Sequence, residues 1–281
     1  MQRKLSITII GPGSLGGALA ETLHRFGYEI DEILYRGNPN RAKNIARRSG
    51  GKAISFDDAN LRSTLVWICV GDADIKTTAQ ALRKRTNWKG KIVFHSSGAL
   101  SSDELATLRK AGASVAAVHP MMSFVRSAEP SFVGVSFALE GDAAAVMLAG
   151  AISKQLRGRS FPLKKKDKPL YHALGAFSSP LLISQLAAAE RIGKKLGLKP
   201  EQTRSVIAPI LLKTIRNYVE HGPAAAFSGP IRRGDVDTIA RNVASLKHVR
   251  GTAEIYRALA RIAAADLPAE NRKQIKKLLA K

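Results

Sequence analysis

The feature that most restricts how this chain can fold is an alternation of short apolar runs with helix-like segments through its first half. Nearly continuous apolar runs are typical of strands buried on both faces, and such strands form parallel sheets covered by helices. Right-handed crossovers between these strands then predict a doubly wound α/β fold. Strands are predicted at 5–10, 32–35, 65–70, 91–94, 114–118, 133–139 and 159–163, and helices at 14–26, 40–48, 74–84, 102–111 and from Asp142 onward.

The pattern changes at a lysine-rich segment that reads KKKDKP. Beyond it, apolar residues recur at helical spacing and no strand pattern follows, so an all-α second domain is expected. Two domains are therefore predicted, 1–163 and 164–281. Pro209 lies inside one of the predicted helices and is expected to kink or split it. The predicted helices are 170–196, 201–220, 236–245, 253–265 and 270–279.

Lys and Arg number 45 against 22 Asp and Glu, which gives a formal net charge of +23, and the excess is larger in the second predicted domain. Such a balance favours acidic ligands, phosphorylated cofactors or weak association with nucleic acids. A solvated basic surface explains the same charge without any ligand. Because the basic residues are scattered among helical patterns without interleaved aromatics, a dedicated nucleic-acid surface is not expected.

No apolar run reaches the roughly 20 residues that span a bilayer, so no membrane association is expected. The N-terminal segment resembles a signal peptide in its basic start and apolar stretch, but the break at GPGS favours a strand, a turn and a helix. Cys69 is the single cysteine, which excludes an internal disulfide and suits a reducing cytosol, and its apolar neighbours predict a buried thiol. The six histidines lack the spacing of metal ligands. A cytoplasmic protein without a metal site is expected.

A glycine-rich segment, GPGSLG, joins the first predicted strand to the first predicted helix. In that context its G-x-G-x-x-G spacing is typical of a dinucleotide-binding Rossmann domain. There Gly11 permits a tight turn, Gly13 lets the backbone approach a pyrophosphate, and Gly16 lets the helix pack on the strand. Ser14 and Leu15 belong to the helix N-terminus, whose N–H groups and dipole favour phosphates.

The end of the second strand indicates which dinucleotide is bound. In NAD-binding domains of this type an acidic residue there binds the ribose 2′-hydroxyl. Here that position is Arg36, in the sequence ILYRGNPNRAK, with Asn38 and Arg41 close by. A guanidinium binds a phosphate in a bidentate way, whereas a carboxylate repels it, so the sequence favours NADP over NAD. Val70 and Gly71, at the end of another predicted strand, are expected beside the nicotinamide half of the cofactor.

Polar residues just after predicted strands are candidates for chemistry, because ligands of open α/β sheets bind beyond the carboxyl ends of the strands. The segment HSSGALSSDEL contains His95 and Ser97, and the segment HPMMSF begins at His119. An imidazole titrates near neutral pH and could contact substrate or transfer a proton, although a lone His is more often structural. The Ser97 hydroxyl either binds a substrate carboxylate or phosphate, or forms a loop-to-helix turn.

A third candidate group, Lys168, Tyr171 and His172, opens the predicted helical domain. Hydride transfer to a carbonyl or imine needs a proton donor within hydrogen-bond reach, and His172 could supply the proton from a helix that closes the cleft. Packing of Tyr171 and His172 against the first domain is the alternative. Further along, the RRGD turn at 232–235 either binds an anionic substrate or begins a helix with Asp235 as its N-cap.

Together these segments resemble a known family, the Rossmann-like proteins that carry a domain of unknown function numbered 2520 (DUF2520). The wider set includes relatives of 6-phosphogluconate and 3-hydroxyisobutyrate dehydrogenases and of ketopantoate and pyrroline-5-carboxylate reductases. The resemblance implies an NADP-binding domain followed by a helical domain through which the chain forms a homodimer. It covers nearly the whole chain and rests on GPGSLGGALA, HSSGAL, VHPMMSF, YHALGAFSSPLL and FSGPIRRGDVDTIARN.

An NADP-dependent oxidoreductase is therefore expected, which transfers a hydride between nicotinamide and the carbonyl or imine carbon of a small anionic substrate. His172 or His119 would handle the proton, and Ser97 with nearby basic residues would hold the substrate. The alternative is a non-catalytic NADP-binding sensor or scaffold. Pro180, where many relatives have Asn, and the lack of a Lys–Asn pair like that of the 3-hydroxyacid dehydrogenases favour this alternative. A polyanion-binding protein comes third, on the charge alone.

Overall fold

The computed structural model describes residues 5–124 and 131–280, and its chain forms two compact units, Met1–Ala176 and Phe177–Lys281. The strands are β1 (Ser6–Ile10), β2 (Glu29–Tyr35), β3 (Lys52–Ser55), β4 (Leu65–Ile68), β5 (Ile92–His95), β6 (Ser114–Pro120), β7 (Ser136–Gly141) and β8 (Arg159–Pro162). The helices are α1 (Ser14–Arg25), α2 (Asn40–Ser49), α3 (Asp72–Leu82), α4 (Ala106–Arg109), α5 (Ala143–Gln155), α6 (Lys168–Ser178), α7 (Pro180–Lys195), α8 (Pro200–Ala226), α9 (Val236–Leu246), α10 (Thr252–Asp266) and α11 (Arg272–Leu279).

All eight strands form one sheet in the first unit, in the order β3-β2-β1-β4-β5-β6-β7-β8. Neighbouring strands are parallel except for the antiparallel pair β6–β7. The strand order reverses between β1 and β4, and at such a switch point the loops beyond the strand ends diverge and leave a crevice for a ligand. The predicted doubly wound α/β architecture is confirmed.

The residues of a central strand show why helices cover both faces of the sheet. In β4, Leu65 and Trp67 belong to the apolar cluster that includes side chains of α1, α2 and α5. The alternate residues Val66 and Ile68 belong to a second cluster with side chains of α3 and α4. All four side chains are fully buried, and each such burial stabilises the fold by roughly 1.5–3 kcal/mol.

The second unit is helical over its described residues, as predicted. Helices α9, α10 and α11 enclose an apolar cluster of their own. Its buried members are Ile239, Val243, Ala260, Ala264, Ile275 and Leu279. Within the described ranges no helix is both long and apolar enough to cross a bilayer.

Three details differ from the sequence prediction. The edge strand β3 was not predicted, because the sequence KAIS has no apolar run. The predicted helix 170–196 is two helices that meet at Ser179, which has non-helical torsions before Pro180; a residue before proline is driven out of the helical region by the proline ring. Pro209 does not split α8, since the helix continues past it; the residue with non-helical torsions is Gly222, with φ 78°, beyond the predicted end of this helix.

Candidate functional site

The glycine loop between β1 and α1 is shaped by two positions that exclude any side chain. Gly11 has φ 97°, and a Cβ there would lie 2.8 Å from the carbonyl oxygen of Cys69. A Cβ at Gly16 would overlap the carbonyl oxygen of Gly11. The loop and the first turn of α1 therefore pack directly against the end of β4, which requires glycine at both positions.

The N-terminus of α1 is left open at the same loop. Its N-cap is Gly13, which supplies no side chain to accept from the first N–H groups, and its first turn contains no acidic residue. A Cβ at Gly13 would meet its nearest neighbour only at 4.0 Å, so there is space above the backbone. Unpaired N–H groups and the positive end of the helix dipole make this end of α1 suitable for an anion. Ser14 and Leu15 are partly exposed in the first turn.

Two guanidinium groups come from the segment that follows β2. Arg36 is exposed, and its guanidinium carbon lies 4.0 Å from the centroid of the Phe56 ring. Among the described residues it has no hydrogen-bond or ion-pair partner. Arg41, in the first turn of α2, donates from Nη2 to Ser14 Oγ at 3.4 Å and so reaches the glycine loop. The Asn38 side chain accepts from the backbone N–H of Asn40 and stabilises the turn between them.

The loop after β4 is joined to the loop after β5. Val70 is half-buried and Gly71 is the N-cap of α3. The carboxylate of Asp72, the first residue of α3, accepts a hydrogen bond of 2.8 Å from Ser97 Oγ. Asp72 has no distinctive signal in the sequence, because an acidic residue that opens a helix has an ordinary explanation in the helix dipole.

His95 is fully buried at the end of β5, and both of its ring nitrogens are hydrogen-bonded. Nδ1 accepts from the backbone N–H of Ser97 at 3.1 Å, so Nε2 carries the hydrogen and donates to the carbonyl of Ser101 at 2.9 Å. Burial lowers the pKa of His95 to about 4, since the charged imidazole would lose its hydration. His95 therefore fixes the shape of the loop as a neutral side chain.

The hydroxyl of Ser97 is engaged in three hydrogen bonds. It donates to Asp72 and accepts from the backbone N–H groups of Ala99 and Leu100, at 3.2 and 2.9 Å. These bonds form a loop-to-helix turn, which is one of the two roles predicted for Ser97; the other is a contact with a substrate carboxylate or phosphate. The arrangement fixes Asp72 and the Ser97–Gly98 backbone relative to each other.

His119, near the end of β6, is paired with Tyr171 of α6. His119 Nδ1 and the Tyr171 hydroxyl are 2.8 Å apart, and the two rings are nearly perpendicular. The opposite side of the imidazole covers Gly98, where a Cβ would lie 2.9 Å from His119 Nε2. Burial lowers the pKa of His119 to about 4, helped by the charges of Lys168 and His172, and burial raises the pKa of Tyr171 to about 12. Both groups are therefore neutral at pH 7.

Lys168 brings an amine into this cluster. It is the first residue of α6, is only 1% exposed, and donates from Nζ to the carbonyl of Ser97 at 3.3 Å. Burial lowers its pKa, while the negative charges of Glu140 and Asp72 act in the opposite direction. His172, one residue after Tyr171, is exposed, and its imidazole makes no hydrogen bond within the described chain.

The structure thus brings Ser97, His119, Tyr171 and Lys168 together at the ends of β5 and β6, with Asp72 beside them. The described residues contain no group of three or more His, Cys, Asp or Glu side chains that could hold a metal ion. Burial raises the pKa of the Cys69 thiol to about 12, so this cysteine is a protonated side chain at neutral pH.

The RRGD turn in the second unit has a structural explanation. Asp235 is the N-cap of α9 and accepts from the N–H of Thr238 at 3.0 Å. Arg232 donates to the carbonyls of Ala224 and Phe227, at 3.0 Å each. These bonds fix the end of α8 and the start of α9. They correspond to the second predicted role of this turn, a helix start with Asp235 as the N-cap.

Comparison with known proteins gives the domain types. Residues 1–120 match the family model described as a Rossmann-like domain, and residues 135–263 match the model described as a domain of unknown function, DUF2520. Both domain types predicted from the sequence motifs, the Rossmann-like domain and DUF2520, are therefore matched by family models. No curated protein sequence matches the chain.

Solved structures share the fold over nearly the whole chain. A Bacteroides fragilis protein provisionally designated an NADP oxidoreductase is 21% identical, with a TM-score of 0.77 over 92% of this chain and 97% of that one. A Thermotoga maritima protein is 25% identical, with a TM-score of 0.72 over 98% of each chain. An imine reductase from Myxococcus stipitatus in complex with NADP⁺ is 19% identical, with a TM-score of 0.65 over 98% of this chain and 99% of that one.

Proposed function

We propose that this chain, in which a Rossmann-like domain precedes a DUF2520 domain, is an NADP-dependent oxidoreductase that acts on a small anionic carbonyl or imine compound. The observation that carries the proposal is the loop after β1. The N-terminus of α1 there has neither a capping side chain nor an acidic first turn, and Arg41 reaches the loop. Such a site binds the pyrophosphate of a dinucleotide. The imine reductase of the same fold holds NADP⁺, which supports the choice of cofactor.

Arg36 is the residue we assign to the 2′-phosphate of the cofactor. It occupies the position after β2 at which a carboxylate would select the 2′-hydroxyl of NAD, and its guanidinium has no hydrogen-bond or ion-pair partner among the residues described. A guanidinium supplies the planar pair of donors that a phosphate accepts. Arg41 and Asn38 lie on the same segment after β2 and would support this site, and Val70 and Gly71 would face the nicotinamide ribose.

When bound, NADPH supplies a hydride to the carbonyl or imine carbon, and the oxygen or nitrogen of that bond needs a proton. We assign the proton transfer to the pair His119–Tyr171. His172, an exposed imidazole next to Tyr171 on α6, would return a proton from water to Tyr171. When the Tyr171 hydroxyl donates to Nδ1, His119 carries its hydrogen on Nε2, which has no hydrogen-bond partner in the described ranges. Nε2 can then give its proton to the substrate while Nδ1 takes the proton of Tyr171.

Lys168 supports an anionic substrate. Its buried amine lies within the polar cluster, and its hydrogen bond to the Ser97 carbonyl leaves other N–H donors available. The hydroxyl of Ser97 holds Asp72 and the loop in place, so we assign Ser97 to positioning the groups that hold the substrate. The net charge of +23 favours the approach of an anion.

We further propose that the protein is a homodimer formed through the helical unit. Helix α8 has six large apolar side chains that are exposed, and α7 exposes two more. A large group of exposed apolar side chains is typical of a surface that another protein chain covers. The exposed residues are Leu181 and Ile183 on α7, and Val206, Ile210, Leu212, Ile215, Tyr218 and Val219 on α8.

The size of this apolar surface matches a dimer interface. At about 100 Å² for a fully exposed side chain these residues present roughly 500 Å². A standard interface needs about 800 Å² per partner, of which just over half is apolar. A second copy supplies the same surface, and two-fold symmetry closes the assembly.

The dimer is tested by light scattering after gel filtration. We expect the mass of two chains for the wild type and of one chain for Ile210→Glu combined with Leu212→Glu. Lys277→Glu on the exposed side of α11 is the control for a charge change and should stay dimeric. A monomeric wild type at micromolar concentration would contradict the dimer.

The enzyme is tested by following the loss of NADPH absorbance with a panel of small 2-oxo acids, alone and with amines that form imines in solution. We expect turnover that depends on NADPH and falls at least tenfold with NADH. Binding of NADPH without turnover across the panel would instead favour a cofactor-binding sensor or scaffold.

A further inference from the structure

Phe56 forms a platform under the guanidinium of Arg36. The last registered pair between β2 and β3 is Tyr35 with Ser55, so Arg36 and Phe56 directly follow the ends of two neighbouring strands. The guanidinium carbon of Arg36 lies 4.0 Å from the centroid of the Phe56 ring, while the ring itself is only 4% exposed. A cation over an aromatic face is attracted by the ring quadrupole.

A second arginine contacts the same ring but uses its donors differently. Arg85 lies 5.1 Å from the centroid of Phe56, donates to the carbonyl of Phe56 and, at 2.8 Å, to that of Asp57, and pairs with the Asp57 carboxylate at 3.6 Å. These bonds anchor the turn that carries the ring. Arg36 has no such bonds among the described residues, so its N–H donors are available to a ligand.

We propose that Phe56, on a turn anchored by Arg85, is a positioning residue that holds the Arg36 guanidinium for the 2′-phosphate and so contributes to the preference for NADP over NAD. This inference rests on the proposed cofactor. An unrestrained arginine loses side-chain freedom when it binds a ligand, and that loss weakens binding. The ring beneath Arg36 restricts the guanidinium before the phosphate arrives, so less freedom is lost on binding.

The test compares the dissociation constants of NADPH and NADH for the wild type, Phe56→Leu and Phe56→Tyr. Phe56→Leu removes the ring and keeps an apolar side chain in the buried position, whereas Phe56→Tyr keeps the ring. We expect Phe56→Leu to weaken NADPH binding roughly two- to fivefold and to leave NADH binding unchanged. Phe56→Tyr should retain the wild-type ratio of the two constants.

A double-mutant cycle separates this role from a merely structural one. If Phe56 acts through Arg36, then Phe56→Leu should not change the ratio further when Arg36→Gln is already present. An equal loss of affinity for NADPH and NADH would overturn the inference. So would the same change in the ratio of their dissociation constants in the wild type and in Arg36→Gln. Phe56→Met replaces the Leu variant if that variant does not unfold cooperatively.

The outcome for the wild type distinguishes the two proposals. A wild-type protein that binds neither cofactor overturns the proposed function, and this inference with it. A wild-type protein that prefers NADPH, together with a Phe56→Leu variant of unchanged preference, overturns the role of Phe56 alone. Titration of the wild type and Phe56→Leu with 2′,5′-ADP and 5′-AMP repeats the comparison without the nicotinamide half of the cofactor. We expect Phe56→Leu to weaken the binding of 2′,5′-ADP two- to fivefold and to leave the binding of 5′-AMP unchanged.

Discussion

Two polar regions lie at the carboxyl ends of the strands in the first unit, and their hydrogen bonds are arranged in opposite ways. Around the loop after β1, donors lack partners among the described residues: the N-terminus of α1 has no capping side chain, and the Arg36 guanidinium has only an aromatic ring beneath it. After β5 and β6, the polar atoms are mostly paired. His95 uses both ring nitrogens, and the Ser97 hydroxyl makes three bonds.

The difference indicates what each region is built to receive. Phosphates bring several acceptors of their own, so a region of unpaired donors binds them without breaking existing bonds. The second region already satisfies its buried polar groups, which would otherwise be costly. It holds a few atoms, such as His119 Nε2 and Lys168 Nζ, in fixed positions, as proton transfer requires.

The largest effect expected from breaking the first region is that of Gly16→Ala. The new Cβ would overlap the backbone oxygen of Gly11, and backbone cannot move aside as a flexible side chain does. We expect a loss of more than about 3 kcal/mol in the free energy of unfolding, measured by urea denaturation.

Gly13→Ala is the matched control for that substitution. Its Cβ has 4.0 Å of space and its backbone angles suit any residue, so stability should change by less than about 1 kcal/mol. NADPH binding should nevertheless weaken at least tenfold, because the methyl group stands where a pyrophosphate would approach. Undiminished NADPH binding by this variant would show that the loop is not the phosphate site.

Lowering the pH should reduce the stability of the fold through His95 in the second region. The pKa of His95 is about 4 in the folded chain, against an ordinary value of 6.5, because the buried imidazole cannot be hydrated when charged. Between these values the unfolded chain binds the proton and the folded chain does not, so stability is present above pH 6.5 and is lost as the pH falls toward 4. The loss attributable to His95 is about 3 kcal/mol.

Urea denaturation at pH 7 and pH 4.5 measures this loss, with His95→Asn as the comparison, since an asparagine carbonyl can still accept from the Ser97 N–H. Carboxylates titrate alike in both proteins, so the difference reports the imidazole. The variant should lose clearly less stability on acidification than the wild type. Identical losses would mean that His95 is not held neutral by burial.

A small effect on stability is expected for Tyr171→Phe, which removes the hydrogen bond to His119 and should lower the free energy of unfolding by about 1 kcal/mol. Its effect on turnover should be larger, since the proton relay loses its source: kcat should fall ten- to a hundredfold while NADPH affinity is unchanged. Steady-state kinetics with a substrate found in the panel, together with an NADPH titration, measures both. An unchanged kcat would remove Tyr171 from the mechanism.

The fold was predictable wherever the signal lies within a single element. The glycine loop is an example, because its spacing, the apolar strand before it and the helical periodicity after it all fall within 5–26. The strand β3 was not predictable, since the four residues of KAIS at the sheet edge show no pattern of burial. The break at Ser179 had a signal in Pro180, which the apolar periodicity around it obscured.

The candidate site was predictable only in part, because its contacts join distant segments. Lys168 and Ser97 are 71 positions apart, and His119 and Tyr171 are 52 apart. The sequence identified each of these residues as a candidate but contained no signal for their pairing. Asp72 was overlooked because its contact with Ser97 appears only when β4 and β5 lie side by side.

The most direct test of the account is a fluorescence titration of the wild type and of Arg36→Asp with NADPH and NADH at physiological salt. We predict that the wild type binds NADPH at least tenfold more tightly than NADH, and that Arg36→Asp abolishes this preference by weakening NADPH binding alone. Equal affinity of the wild type for the two cofactors, or binding of neither, would contradict the central claim that the region around the glycine loop is an NADP site.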